Sequence, residues 1–182
     1  MILLSKVLMK ILGWKTNGAL PEDKKCVIVA APHTSNWDFI IGRLSYYASG
    51  KKIIFLIKKE FFFFPFGGIL KKLGGVPVDR SRNNNTVEQV AKIFRENDQV
   101  FLTIAPEGTR KKVKKWKRGF YLIAKRSKVP IYLGMINYKD KEIGYFKKFE
   151  MTDDINADMI KIKNHYKNAF PKFPENFSTG LD

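Results

Sequence analysis

Apolar and polar residues alternate along this chain in blocks that switch between the period of a strand and the period of a helix. Val27-Ile28-Val29-Ala30-Ala31 is a short unbroken apolar run closed by Pro32, the pattern of a strand buried on both faces. Asp38 to Ala48 then reads as a helix, with Phe39, Ile40, Leu44 and Tyr47 apolar, and Gly50-Lys51-Lys52 ends it. Ile53 to Ile57 is a second buried strand. A short helix near Phe66 to Leu73 leads through Gly74-Gly75 to a strand ending Val78-Asp79-Arg80. Thr86 to Glu96 carries Val87, Val90, Ala91 and Phe94 at helical spacing, with Asn85 as its expected cap. Val100 to Ile104 is the next strand, Trp116 to Lys128 a helix, and Pro130 to Ile136 a strand. A hairpin turning at Lys139-Asp140 runs into Glu142 to Phe149. Asp154 to Phe170 closes the chain as a helix with Ile155, Met159, Ile162, Tyr166 and Phe170 on one stripe.

Two stretches fit the pattern less simply. Met1 to Leu12 places Ile2, Leu3, Leu4, Val7, Leu8, Ile11 and Leu12 against Lys6 and Lys10 on another face. Without a basic lead or a small-residue cleavage site it is not read as a signal peptide. Within an amphipathic N-terminal segment over residues 1–20, this helix, followed by Trp14 and Lys15, suits either the plane of a membrane surface or packing on its own domain, and the net charge favours the interface. The block Phe61-Phe62-Phe63-Phe64-Pro65-Phe66 is too aromatic for one face of any element; its composition assigns it to core split over a turn, ahead of a greasy wall for an acyl chain or bilayer. Strands alternating with helices predict an α/β fold: one domain over residues 1–182, a mixed, mostly parallel sheet flanked by helices.

Charge narrows the partner. Lys and Arg number 34 against 17 acidic residues, for a net +17. That balance calls for an anionic partner: nucleic acid, anionic lipid headgroups, coenzyme phosphates or an acidic carrier protein. No helix-turn-helix, zinc-finger or ribonucleoprotein signature accompanies it, which argues against nucleic acid. Cys26 is the only cysteine, so no intramolecular disulfide forms. With His33 and His165 as the only histidines, the usual soft ligands make no zinc cluster. No stretch reaches the roughly 18 apolar residues of a membrane span.

The candidate chemistry sits at Ala31 to Asp38. On a regular helix, side chains five residues apart point about 140° from one another. His33 and Asp38 meet only if the first ends a strand and the second lies in the opening turn of a helix, with Ser35 as N-cap. An imidazole beside a carboxylate is a general-base arrangement. Ser35-Asn36-Trp37-Asp38 also fits a capping box with Asp in the Glu position, which would make Asp38 a helix-start residue only. Arg80 and Glu107-Gly108-Thr109-Arg110 each follow a predicted strand directly, at the carboxyl ends where such sheets collect chemistry. His165 stands apart from every motif and is read as structural or solvated.

These residues resemble the glycerolipid acyltransferase family, which includes the bacterial lysophosphatidic acid acyltransferases. Its His-x4-Asp block is matched by His33 to Asp38. A glycine followed by an apolar strand ending in arginine is matched by Gly75 to Arg80, Pro-Glu-Gly-Thr-Arg is whole at Pro106 to Arg110, and an apolar-Pro-apolar step stands at Val129-Pro130-Ile131. The four blocks occur in the family's order. Pro32 stands where many relatives have Asn, and Ala105 where Phe is common; these departures leave the reaction type but not the acceptor.

The resemblance implies an O-acyltransferase with a glycerol-3-phosphate acyltransferase-like fold. It would move a fatty acyl group from an acyl carrier protein or coenzyme A thioester to the hydroxyl of a lyso-lipid, foremost 1-acylglycerol-3-phosphate. Other lyso-lipid acceptors, including amino-acid-containing lipids, remain alternatives. His33 would be the base, Asp38 its partner, and Arg80 and Arg110 the candidates for a phosphate. Gly108 would let backbone approach the substrate, and Glu107 would orient Arg110 or accept a hydrogen bond from the acceptor hydroxyl. No metal and no tightly bound cofactor is expected, only the thioester co-substrate. The basic run Arg110 to Arg118, with Trp116 as an interfacial aromatic, suits anionic headgroups, coenzyme phosphates or a carrier protein, at the cytoplasmic face of the cell membrane. A basic nucleic-acid-binding protein and a hydrolase using the same His and Asp are the competing classes.

Overall fold

The structure is a computed structural model and describes residues 2–18, 20–50, 53–79, 83–152 and 154–181. In chain order its elements are α1 (Ile2–Ile11), β1 (Lys15–Asn17), β2 (Lys25–Ala31), α2 (Asn36–Ala48), β3 (Ile53–Lys58), α3 (Phe66–Lys72), β4 (Gly75–Val78), α4 (Asn83–Glu96), β5 (Val100–Ile104), α5 (Gly119–Ser127), β6 (Ile131–Asn137), β7 (Glu142–Phe149) and α6 (Ile155–His165), with short 3-10 turns at Lys59–Phe61 and Pro174–Asn176. Seven strands form one sheet in the order β1-β7-β6-β2-β5-β3-β4. All neighbouring pairs are parallel except the hairpin β6–β7. β2 and β5 therefore lie inside the sheet, covered on both faces, which is why both read as mainly apolar runs, β5 broken only by Thr103.

The pleat sends alternate β2 residues to opposite layers. Val27, Val29 and Ala31 join Leu102, Ile131 and Leu133 in one large core with α4, α5 and α6. Cys26 and Ile28 face α2 with Tyr46, Ile53, Phe101 and Tyr132, and Met9, Trp14, Ile41 and Ile136 make a further small cluster where α1 packs on α2. A mixed, mostly parallel α/β sheet flanked by helices is thus what the alternation of periods predicted.

Several local expectations are corrected. Helix α4 starts at Asn83, so Asn85 sits in its first turn rather than capping it. Helix α5 starts at Gly119, because residues 105–118 travel as a loop tied down by the Lys117 N–H donating to the Pro106 carbonyl. Helix α6 stops at His165; Phe170 leaves the stripe and is exposed, while Tyr166 stays fully buried. The edge strand β1, three residues long, has no apolar signature and was not expected. The aromatic block is not core: Phe61, Phe63, Phe64 and Phe66 are exposed, Phe64 at 95%, between the 3-10 turn after β3 and the start of α3. Trp14 and Trp116, expected at an interface, are buried. Trp14 packs edge-on against Tyr138, and the Trp116 indole N–H donates to the Ser178 carbonyl at 2.9 Å, pinning the C-terminal tail.

Helix α1 packs on its own domain along one face and leaves an apolar face outward. Ser5 and Met9 are buried against α2, whereas Ile2, Leu3, Leu4, Val7 and Ile11 face outward. Among the described residues no helix is long and apolar enough to cross a membrane.

Candidate active site

Strand β2 ends at Ala31, and the chain turns through Pro32, His33 and Thr34 into the cap of α2. Ser35 has extended φ/ψ and its Oγ accepts the Trp37 N–H at 3.1 Å, while Asp38 returns to accept from the cap backbone. This is a complete capping box. The same Asp38 Oδ2 lies 3.2 Å from His33 Nδ1, and it also accepts the N–H groups of Thr34 and Ser35, each at 2.8 Å. The two readings of Asp38 are therefore one structure: the carboxylate that starts the helix is the carboxylate that meets the imidazole.

Asp38 Oδ1 accepts the Tyr138 hydroxyl at 2.6 Å. Burial pushes the Asp38 carboxyl up, but hydrogen bonds from His33, Tyr138 and the Ser35 backbone outweigh it and hold the group below its ordinary range. Asp38 is thereby kept ionised, fixing the proton of a neutral His33 on Nδ1 and leaving Nε2 to accept one. The Tyr138 hydroxyl is pushed well up by burial and by its bond to Asp38, so it stays a donor.

Glu107 follows β5 and is 4% exposed. Its Oε1 accepts the backbone N–H of His33 at 3.0 Å, and its Oε2 is buried with no hydrogen-bond partner among the described residues. Burial raises its carboxyl to about 7, against which the His33 N–H acts only partly. Glu107 thus sits beneath the histidine loop and braces it from behind. Gly108, Thr109 and Arg110 are exposed and line the same cavity as His33 and Asp38. Gly108 has φ +68°, a conformation that side-chain-bearing residues rarely adopt, and this turn places Thr109 and Arg110 toward the opening. Arg80 lies outside the described residues.

The cavity has a volume of about 470 Å³ and runs between α2 and the sheet. Its walls are mostly apolar, from Ile28, Ile53, Phe55, Leu56, Met135 and Ile136, with the small Ala30 and Gly134 along them and open space at Gly42, where an added Cβ would meet nothing within 4 Å. Beside His33, exposed Trp37 is approached by the Lys172 ammonium at 5.2 Å from its ring centre, and the Phe173 N–H donates to Thr34 Oγ1 at 3.3 Å. The C-terminal segment thus flanks the dyad. Among the described residues no group of His, Cys, Asp and Glu has the makings of a metal site.

Sequence reasoning missed Tyr138 and the bracing geometry of Glu107. Nothing in the local pattern of the β6–β7 turn ties Tyr138 to a residue 100 positions away. An acid inside a loop motif likewise reads as solvent-facing until the fold closes over it. His165 lies away from this site; burial and the nearby Lys147 lower its pKa.

A family model described as Acyltransferase matches residues 15–133. Among solved structures, the chain is similar in fold to the 1-acyl-sn-glycerophosphate (LPA) acyltransferase PlsC from Thermotoga maritima. That match has a TM-score of 0.63 and 17% identity, and covers 90% of this chain and 73% of that one. Among curated protein sequences, none matches.

Proposed function

The chain belongs to the acyltransferase family, and from that premise we propose that it transfers a fatty acyl group from an acyl carrier protein or coenzyme A thioester to the hydroxyl of a lyso-lipid, foremost 1-acylglycerol-3-phosphate. The observation that carries this reading is the His33–Asp38 pair, 3.2 Å apart, lining the same apolar cavity as Arg110. The cavity houses the acyl chain. His33 Nε2 takes the proton of the acceptor hydroxyl as its oxygen attacks the thioester carbonyl. Asp38 balances the imidazolium that forms, and Tyr138 holds Asp38 in place. Collapse of the tetrahedral intermediate expels the thiolate, which leaves with the proton carried on His33. Neither a metal nor a tightly bound cofactor enters this scheme. Among the described residues no serine or cysteine is placed as a nucleophile: Ser35 Oγ serves the helix cap, and Cys26 is fully buried near the far end of β2. Direct transfer without an acyl-enzyme follows.

Arg110 and Arg80 supply guanidinium forks for an anionic headgroup. Glu107, braced against His33, fixes the base rather than meeting phosphate. Peripheral attachment at the inner face of an anionic membrane is supported by three features. They are the outward apolar face of α1, the exposed Phe61–Phe66 segment, and the lysines of the run from Arg110 to Arg118. By the parallel register of β2, β5 and β3, the aromatic segment leaves the sheet at the same edge as His33 and Glu107.

The test offers a panel of lyso-lipids with both thioester donors and identifies products by mass spectrometry. Acylated 1-acylglycerol-3-phosphate from the native chain, and none from His33→Ala, is the expected result. Release of free fatty acid with no acylated lipid from any acceptor would establish a hydrolase instead.

A further inference from the structure

The apolar cavity contains one charge that the acyl-transfer chemistry does not use. Arg43, on α2, lines it and is 8% exposed. A guanidinium carries five N–H donors. Among the described residues Nη1 reaches the Ile53 carbonyl at 3.4 Å, the far limit of a hydrogen bond, Nη2 meets the Tyr47 hydroxyl, and Nε is buried with no partner. No carboxylate among the described residues forms an ion pair with it. The Tyr47 ring, 4.3 Å from the guanidinium carbon, and the Phe55 ring at 5.9 Å give it only cation–π contact. A buried cation with open donors and no anion carries a desolvation cost that these contacts offset only in part. Its place beside a cavity, not in solid core, leaves room for the missing acceptor to arrive with a ligand.

Register places Arg43 far from the chemistry. Ile53, whose carbonyl it meets, is level with Phe101 and so with Cys26, whereas His33 follows Ala31 at the other end of β2. Five strand residues separate those levels, about 16 Å. The intervening lining is apolar apart from the small polar groups of Ser45, Tyr46 and Thr103. An acyl chain whose thioester sits at His33 therefore reaches Arg43 with its distal part.

We propose that Arg43 recognises an oxygen carried on the distal part of the acyl chain, a hydroxyl or a terminal carboxylate, so that the cavity selects an oxygenated acyl group over a plain saturated one. This rests on the reading of the cavity as the acyl slot. Either oxygen fills the open N–H donors, and the carboxylate also neutralises the charge.

Four acyl thioesters of equal length test it: unsubstituted, hydroxylated next to the thioester carbonyl, hydroxylated near the chain end, and carrying a terminal carboxylate. The native chain should favour a distally oxygenated donor in kcat/KM by about 10- to 100-fold, the factor for one hydrogen bond to a charged group. The hydroxyl beside the carbonyl should gain nothing. Which of the two distal donors leads identifies the oxygen. Arg43→Met should bring the ratio to about one and turn over the plain chain at least as well. Equal rates on all four donors in the native chain would overturn the proposal, as would a preference that survives Arg43→Met. The native chain decides alone if that variant does not fold. A parallel titration of the corresponding free acids, followed by tryptophan fluorescence, needs no turnover. Selective binding of the distally oxygenated acid without acyl transfer would sink the proposed function and keep this site, whereas transfer without selectivity would do the reverse.

Discussion

The two faces of the sheet are built from the same strands and put to different uses. On the face toward α4, α5 and α6, Val27, Val29, Leu102, Phe120, Tyr121 and Ile162 close into one continuous core. Two buried tyrosine hydroxyls there are paired: Tyr166 donates to the Val29 carbonyl at 2.9 Å, and the Tyr121 hydroxyl lies 2.7 Å from the Thr152 carbonyl and 2.8 Å from Asp158 Oδ2. On the face toward α1 and α2, two smaller clusters flank a cavity of about 470 Å³ that has open space at Gly42 and holds Arg43 Nε, which has no partner among the described residues. One face supplies the cohesion that lets the other stay hollow, and the His33–Asp38 pair stands at the strand end where the hollow begins.

Substitutions on each face should separate stability from turnover. His33→Ala should lower kcat by about 10² to 10⁴-fold or more with little change in the unfolding midpoint, measured by product formation and thermal melting side by side. Phe120→Ala, in the solid core, should cost about 3 to 5 kcal/mol in urea unfolding while the surviving folded fraction keeps its acyl preference. Equal loss of activity per folded molecule would erase the contrast between faces.

The pH dependence of stability reads the seam between the two. Burial raises the Glu107 carboxyl from its ordinary 4.5 to about 7, so the folded chain holds that proton more tightly than the unfolded one. The stability it adds is present in full below about 4.5 and disappears as pH rises through about 7; at 1.36 kcal/mol per pH unit this is roughly 3 kcal/mol. Urea titrations across that window should show the decline in the native chain and its absence in Glu107→Gln. Asp38 runs the other way. Its lowered pKa adds stability above its ordinary 3.8 that is lost as pH falls through the folded value.

Because Asp38 serves cap and dyad together, Asp38→Ala should lose about 1 kcal/mol of stability and nearly all turnover in the same protein. Loss of stability with full activity would reduce it to a cap alone. The smallest stability effect belongs to Gly42, where an added Cβ meets nothing within 4 Å. Gly42→Leu should hold or raise stability by up to about 1 kcal/mol, as a helix former replacing glycine, while lowering transfer of long chains relative to short ones.

How much of this was legible beforehand depends on the range of the interaction. The convergence of His33 and Asp38 could be read from seven residues, because a strand end, a proline and a serine cap dictate where the next turn points. Glu107 to Arg110 could be placed at the same sheet edge from parallel alternation alone. The exposure of Phe61 to Phe66 could not, since apolar composition is the same for core and for an outward segment. Trp116 misled for the converse reason: its basic neighbours suggested an interface, and a tail 62 residues on buried it. Tyr138, the brace from Glu107 and the open donors of Arg43 arise from contacts between segments far apart in sequence.

By itself the sequence determined the periods, the caps and the order of strands and helices, hence an α/β sheet with its chemistry gathered at one edge. Those follow from forces acting over a turn or a strand, within a few residues. Only the tertiary structure decided which face closed and which stayed hollow, which tryptophans were buried, and which charges met a partner, because burial and pairing depend on what the rest of the chain brings alongside.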